Sequence, residues 1–192
     1  QAGVQLSDLL YSGRLRYVGR KIETLLGKFE ARKGFAFNDE VRSFLAKIPM
    51  MRVWEHDVTI KSGGYFSADK DYGDIDVMAY DTSSDILYLI ECKNTNTAKN
   101  IREMKTEMDE YLGRGDNPEK DKKKALVLKH LRRHRWVTEH INEVAKRIGL
   151  AVPPRVKSMM LTATVIPTSY LKREKTPMSI LNYPELKIKG MD

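Results

Sequence analysis

One cysteine, Cys92, stands in 192 residues. The chain therefore closes no internal disulfide, which suits a reducing cytoplasm. No apolar run approaches the roughly eighteen residues a membrane span needs, and the first residues carry no signal-peptide pattern. The expectation is a soluble, cytoplasmic protein with no membrane partner. Internal repeats, low-complexity tracts and inter-domain linkers are also missing, as are a phosphate-binding P-loop, a dinucleotide fingerprint and a defensible Ser-His-Asp arrangement. The chain opens on Gln1 rather than Met, as a unit cut from a longer polypeptide would, so further domains are one class of partner to expect.

What is present suits one α/β domain with a real core. Apolar residues make up 41% and charged residues 31%, which is not a disordered composition. The net charge of +8 makes a polyanion a natural partner, because basic side chains displace counterions condensed on phosphates. Solubility alone would also account for it, so the distribution of the charge carries more weight.

Apolar residues at helical spacing predict a helix over residues 14–31, ended at Gly34, and a second over 37–45 with Asn38 as its N-cap. The first 36 residues then read as a helical lead-in to a compact unit over 37–192. Residues 52–61 alternate as one strand with a break in parity, and residues 62–72 form a Gly-rich loop. Residues 101–112 are helical, and 119–148 form one long or two successive helices. Residues 155–166 and 178–182 are strands, and the chain frays after Pro184. On the later helices Lys122, Lys123, Lys124, Lys129, Arg132, Arg133 and Arg135 form the densest basic patch. A solvated helix face would look the same, but charges of one sign around Trp136 also suit a nucleic-acid surface.

The most informative stretch is residues 73–93. Two apolar runs flank the turn-forming Asp81-Thr82-Ser83-Ser84-Asp85, so the segment reads as a β-hairpin or a short loop joining neighbouring strands. Alternation puts Asp74 and Asp76 on one face of the first run, and Glu91 and Lys93 on one face of the second. Leu87 and Leu89 share the face of Glu91, so the charges continue an apolar stripe, and buried charge is costly unless paired or metal-bound. Metal-assisted phosphodiester hydrolysis needs hard oxygen ligands, a positioned water and positive charge against the developing negative charge. Asp76, Glu91 and the main-chain carbonyl of Cys92 could supply ligands. Lys93 could orient or deprotonate the water, or stabilise the transition state.

This order of helix with Glu40, strand, Gly73-Asp74-Ile75-Asp76-Val77, turn, apolar strand, Glu91-Cys92-Lys93 and helix resembles the PD-(D/E)XK nuclease superfamily over residues 37–112. The resemblance implies a restriction-endonuclease-like fold, a mixed central β-sheet flanked by α-helices, with Mg2+ or Mn2+ as cofactor. It implies Asp76 as the motif aspartate, with Asp74 as a support behind it, and Glu91 and Lys93 as the E-x-K element. It also implies an acidic metal ligand from the preceding helix, for which Glu40 is the best placed and Glu23 the weaker choice. DNA rather than RNA is the substrate such a family suggests, and a homodimer would let single-strand cutting sites act in pairs. Ile75 replaces the family's proline. The competing reading keeps the fold and discards the chemistry, leaving a nucleic-acid-binding or assembly module. His130 and His134 have the i, i+4 spacing of zinc ligands but no Cys or acidic partner in that pattern, and Tyr65, Phe66 and Tyr72 suit core packing.

Overall fold

Gly34 does not stop the first helix. The computed structural model describes residues 20–95, 97–113, 125–171 and 178–190, and its first element, α1, runs unbroken from Arg20 to Leu45. A glycine inside a helix costs about 1 kcal/mol relative to alanine. Burial of Phe37, Val41 and Leu45 one turn apart outweighs that cost, so the expected break is lost, and α1 crosses the boundary drawn between residues 36 and 37. Residues 1–19, which include the start of the expected first helix, lie outside the described residues.

The chain then alternates short strands: β1 (Met51–Val53), β2 (Val58–Ile60), β3 (Gly73–Ile75), β4 (Val77–Asp81) and β5 (Ile86–Lys93). The parity break in residues 52–61 marks a real division, because β1 and β2 belong to different sheets. α2 follows at Ile101–Leu112, then α3 (Leu126–Glu139), α4 (Ile141–Ile148), β6 (Arg155–Thr162), α5 (Thr168–Leu171), β7 (Ser179–Asn182) and α6 (Tyr183–Lys189). The expected frayed end is a helix instead. Pro184 lies in its first turn, where a missing N–H is harmless. Asn182 caps it by accepting from the Glu185 N–H (2.9 Å) and donating to the Glu185 carboxylate (2.6 Å).

Five strands form a mixed sheet in the order β1-β4-β5-β6-β7. β4 pairs antiparallel with β1 and β5, and β5-β6-β7 run parallel. The expected hairpin is present, with Asp81 opposite Ile86. Its turn is held by Asp81, which accepts from the Ser83 N–H (2.8 Å) and the Ser84 hydroxyl (2.6 Å). β2 and β3 make a separate antiparallel pair. On one sheet face α1 buries Val77, Ala79, Tyr88, Ile90 and Cys92. On the other, α3 and α4 pack Trp136, Val137, Val144 and Ile148 against Met78, Leu87 and Leu89. The architecture is thus an α/β fold with helices on both sides of a mixed sheet. No helix among the described residues is long and apolar enough to cross a membrane.

Candidate active site

Asp76 sits at a bend between β3 and β4, where the chain leaves the two-stranded sheet and enters the five-stranded one. Extending the register from the Val77–Ile90 pair sets it opposite Glu91. Its Oδ2 accepts the main-chain N–H of Cys92 at 2.8 Å. Burial raises the Asp76 carboxyl to about 7, reinforced by the negative charge of Glu91 and only partly offset by Lys93 and the Cys92 N–H.

Glu91 is 6% exposed. Its Oε1 lies 2.8 Å from Lys93 Nζ, and Arg133 Nη2 donates to its Oε2. Nδ1 of the fully buried His130 lies 3.6 Å from Oε2. Burial works to raise this carboxyl, but His130 and the positive charges of Arg133 and Lys93 outweigh it and hold it at about 2. Two neighbouring carboxylates are therefore driven in opposite directions. Lys93 behaves as a firm cation: burial alone would lower its pKa, yet Glu91 and Asp76 raise it. The Cys92 thiol, on the opposite face of β5, is buried and pushed well above its ordinary value by burial, which marks it as an inert core group.

Arg42 escaped the sequence reading, in which Arg133 and His130 have other roles. Arg42, from α1, donates to Asp57, to the main-chain oxygen of Asp76 and to Asp39 (2.8 Å), so it ties the helix to the bend. Arg133 and His130 lie on the inward face of α3. His130 Nε2 is 3.0 Å from the Leu89 carbonyl and therefore carries a proton. A detectable signal was present in the α3 sequence: His130 and Arg133 fall on the stripe that Val127 and Val137 define at helical spacing, so polar groups occupy core positions. Gly73 contributes through what it lacks. It has φ +88°, and a Cβ there would approach Arg133 Nη1 to 3.1 Å.

The structure brings Asp76, Glu91, Lys93 and the Cys92 main chain together. A strand residue's N–H and C=O point to the same edge, so the Cys92 carbonyl faces the edge from which its N–H reaches Asp76. The other expected site residues lie elsewhere. Asp74 is exposed on β3, paired with Thr59. Glu40 is about 200° around α1 from Arg42, and it meets Lys187 at 3.6 Å in a separate cleft of about 410 Å³ beside Asn94, Ala163 and Tyr183. The side chain of Glu23 lies outside the described residues. Among the described residues no group of three or more His, Cys, Asp or Glu side chains is arranged to hold a metal ion. A cation here would draw on two carboxylates, a main-chain carbonyl and waters, a donor set within the habits of Mg2+.

Of the basic patch, Arg132 and Arg135 are exposed and Lys129 is half-buried, whereas Arg133 is turned inward onto Glu91. Lys122, Lys123 and Lys124 lie outside the described residues. Trp136 is buried, stacked on His140 with ring centroids 4.4 Å apart. The Gly-rich loop packs inward too, since Phe66 is buried and Tyr72 lies 6.0 Å from Trp136. His134 faces Ser158 (2.9 Å) rather than a shared ligand with His130.

In comparisons with known proteins, a family model described as "Anti-phage protein Upx-like" matches residues 7–179. No curated protein and no solved structure matches the chain.

Proposed function

The chain belongs to the Upx-like family of anti-phage proteins, and from the geometry of its buried charges we propose that it acts as a metal-dependent nuclease of the PD-(D/E)XK type, with a restriction-endonuclease-like sheet, hydrolysing phosphodiester bonds in DNA. The observation that carries this reading is the convergence of Asp76 and Glu91 from adjacent strand ends, with Lys93 bound to Glu91 on the same face. Perturbed carboxylates cluster at functional sites, and the opposed shifts of Asp76 and Glu91 support the reading in that sense.

Asp76, Glu91 and the Cys92 carbonyl would hold Mg2+ or Mn2+. When bound, the ion supplies polarisation of a phosphoryl oxygen and an activated water. Lys93, fixed as a cation, offsets negative charge developing on the phosphate, which favours electrostatic stabilisation over its alternative role as a base. Arg42 holds the Asp76 main chain in place through its carbonyl. The exposed Arg132 and Arg135 on α3 offer contacts to the sugar-phosphate backbone.

The test is cleavage of supercoiled, linear and branched DNA with Mg2+, and with the metal chelated. Wild type cuts, chelation stops it, and Glu91→Ala and Lys93→Ala lose cutting while retaining DNA binding. Normal cleavage by Glu91→Ala would sink the mechanism. A second reading, a nucleic-acid-binding module of the same fold without chemistry, is favoured by one feature: both Glu91 oxygens are engaged by the chain's own cations. DNA binding with no cleavage under any divalent ion would select it.

A further inference from the structure

Arg133 is held in a position that its present contacts do not fully satisfy. It is 7% exposed, and its Nη2 donates to Glu91 Oε2 and lies 3.5 Å from His130 Nδ1. Its Nε is buried and, among the described residues, finds no acceptor. Arg42 Nε is left in the same way, but Arg133 differs in that its Nη2 lies directly on the Glu91 carboxylate, and a buried donor left unmade costs stability that a new acceptor would recover. Gly73, with no side chain to approach Nη1, leaves the other end of the fork uncrowded.

The local charges are also close to balance without any added ion. Asp39, Asp57, Asp76 and Glu91 supply four carboxyl groups, of which Asp76 is only partly ionised near neutral pH, against the three cations Arg42, Lys93 and Arg133. A divalent cation entering alone would add two positive charges to a half-buried cluster already near neutrality, which is unfavourable away from water. It would also have to share Glu91 with the guanidinium on Oε2. A phosphodiester brings negative charge and, in its planar match to the guanidinium fork, an alternative acceptor for Arg133.

We propose that Arg133 exchanges partners during the reaction, releasing Glu91 Oε2 to the metal ion and taking the substrate phosphate, so that metal and DNA enter the site together. The inference rests on the nuclease reading above. Thermodynamic linkage makes the coupling reciprocal: DNA tightens metal binding by the factor by which metal tightens DNA binding. Arg133 is then a substrate-contacting residue in the working site and a substitute cation in the resting one.

The experiment titrates Mn2+ alone, reading free Mn2+ by its paramagnetic resonance signal, with and without a hydrolysis-resistant phosphorothioate duplex. It compares wild type, Arg133→Ala and Arg133→Lys. Wild type is expected to bind Mn2+ at least tenfold more tightly with the duplex. Arg133→Ala is expected to bind Mn2+ alone at least tenfold more tightly than wild type and to lose most of the coupling. Thermal unfolding of Arg133→Ala should recover with Mn2+, since the ion replaces the lost positive charge. Equal Mn2+ affinity across the three proteins, with wild type still cutting DNA in Mg2+, overturns the exchange and leaves the nuclease reading intact. Arg133→Ala that stays unfolded in Mn2+, together with Arg133→Lys matching wild type in affinity and coupling, overturns it as well. Absence of Mn2+ binding in all three with and without duplex, accompanied by no cleavage, overturns both.

Discussion

The two faces of β5 are built from alternate residues of one strand and serve opposite ends. Towards α1 it presents Ile86, Tyr88, Ile90 and Cys92, which pack with Phe37, Val41 and Leu45 into an apolar layer. Towards α3 it presents Leu87 and Leu89 in the same manner, then changes to Glu91 and Lys93. The helix above answers that change with His130 and Arg133 on the stripe that otherwise carries Val127 and Val137. An apolar face stabilises by area removed from water, about 25 cal/mol per Å², and needs no particular partner. A charged face incurs a cost for each group left without a partner, so it specifies positions and leaves little freedom. Similar burial on the two sides therefore conceals unequal chemistry, an apolar layer that holds the sheet and a network of paired charges.

Substitution on each side would sharpen that contrast. Glu91→Ala leaves Arg133 and Lys93 without their carboxylate, and removal of one partner from a buried pair costs about 3–5 kcal/mol. Urea unfolding should show that loss, and cleavage should vanish even where the variant is fully folded. Ile90→Ala, one residue away on the apolar face, should cost about 2–5 kcal/mol and yet keep its cleavage rate per folded molecule. If Ile90→Ala lost chemistry as completely as Glu91→Ala, the division between faces would fail.

A smaller effect follows from pH. The Asp76 carboxyl is raised from 3.8 to about 7 in the folded protein. Its proton is thus held more tightly folded than unfolded, so its contribution is complete below about pH 4 and is lost as pH climbs towards 7. Glu91 has the opposite sign, contributing above about pH 4.5 and losing it only as pH falls towards about 2. Urea midpoints taken from pH 5 to pH 8, in chelator, should therefore fall more steeply for wild type than for Asp76→Asn. Parallel profiles would contradict the buried setting of Asp76. The smallest effect belongs to Glu40→Gln, which removes a half-exposed pair with Lys187. Its cost should stay below about 1 kcal/mol with cleavage unchanged, and a cleavage defect would bring Glu40 back as a ligand.

Legibility in the sequence followed the range of the interactions. The hairpin could be read from Asp81 to Asp85, because turn chemistry is local, and Leu87, Leu89, Glu91 and Lys93 declare their shared face by parity alone. The mixed α/β architecture followed from the order of elements. Arg42 and Asp57 could not be paired from sequence, since their contact depends on how α1 crosses the bend at Asp76. Arg133 was grouped with Arg132 and Arg135 by composition, yet one step along a helix is about 100° of rotation, enough to turn it from solvent to core. Gly34 and Pro184 misled in the same way. Each is a stop signal whose effect depends on position, and packing in one case and the first helical turn in the other removed it.

Cys92 gives the apolar layer a further use. It is the chain's only thiol, sealed beneath α1, and its own N–H holds Asp76. A thiol reagent in solution can reach it only when helix and sheet part, so the rate of labelling acts as a clock for that opening. The clock is tied by a single residue to the bend that carries Asp76. Anything that tightens the bend should slow it, which makes one sulfur atom an internal gauge of how firmly the charged side of the sheet is assembled.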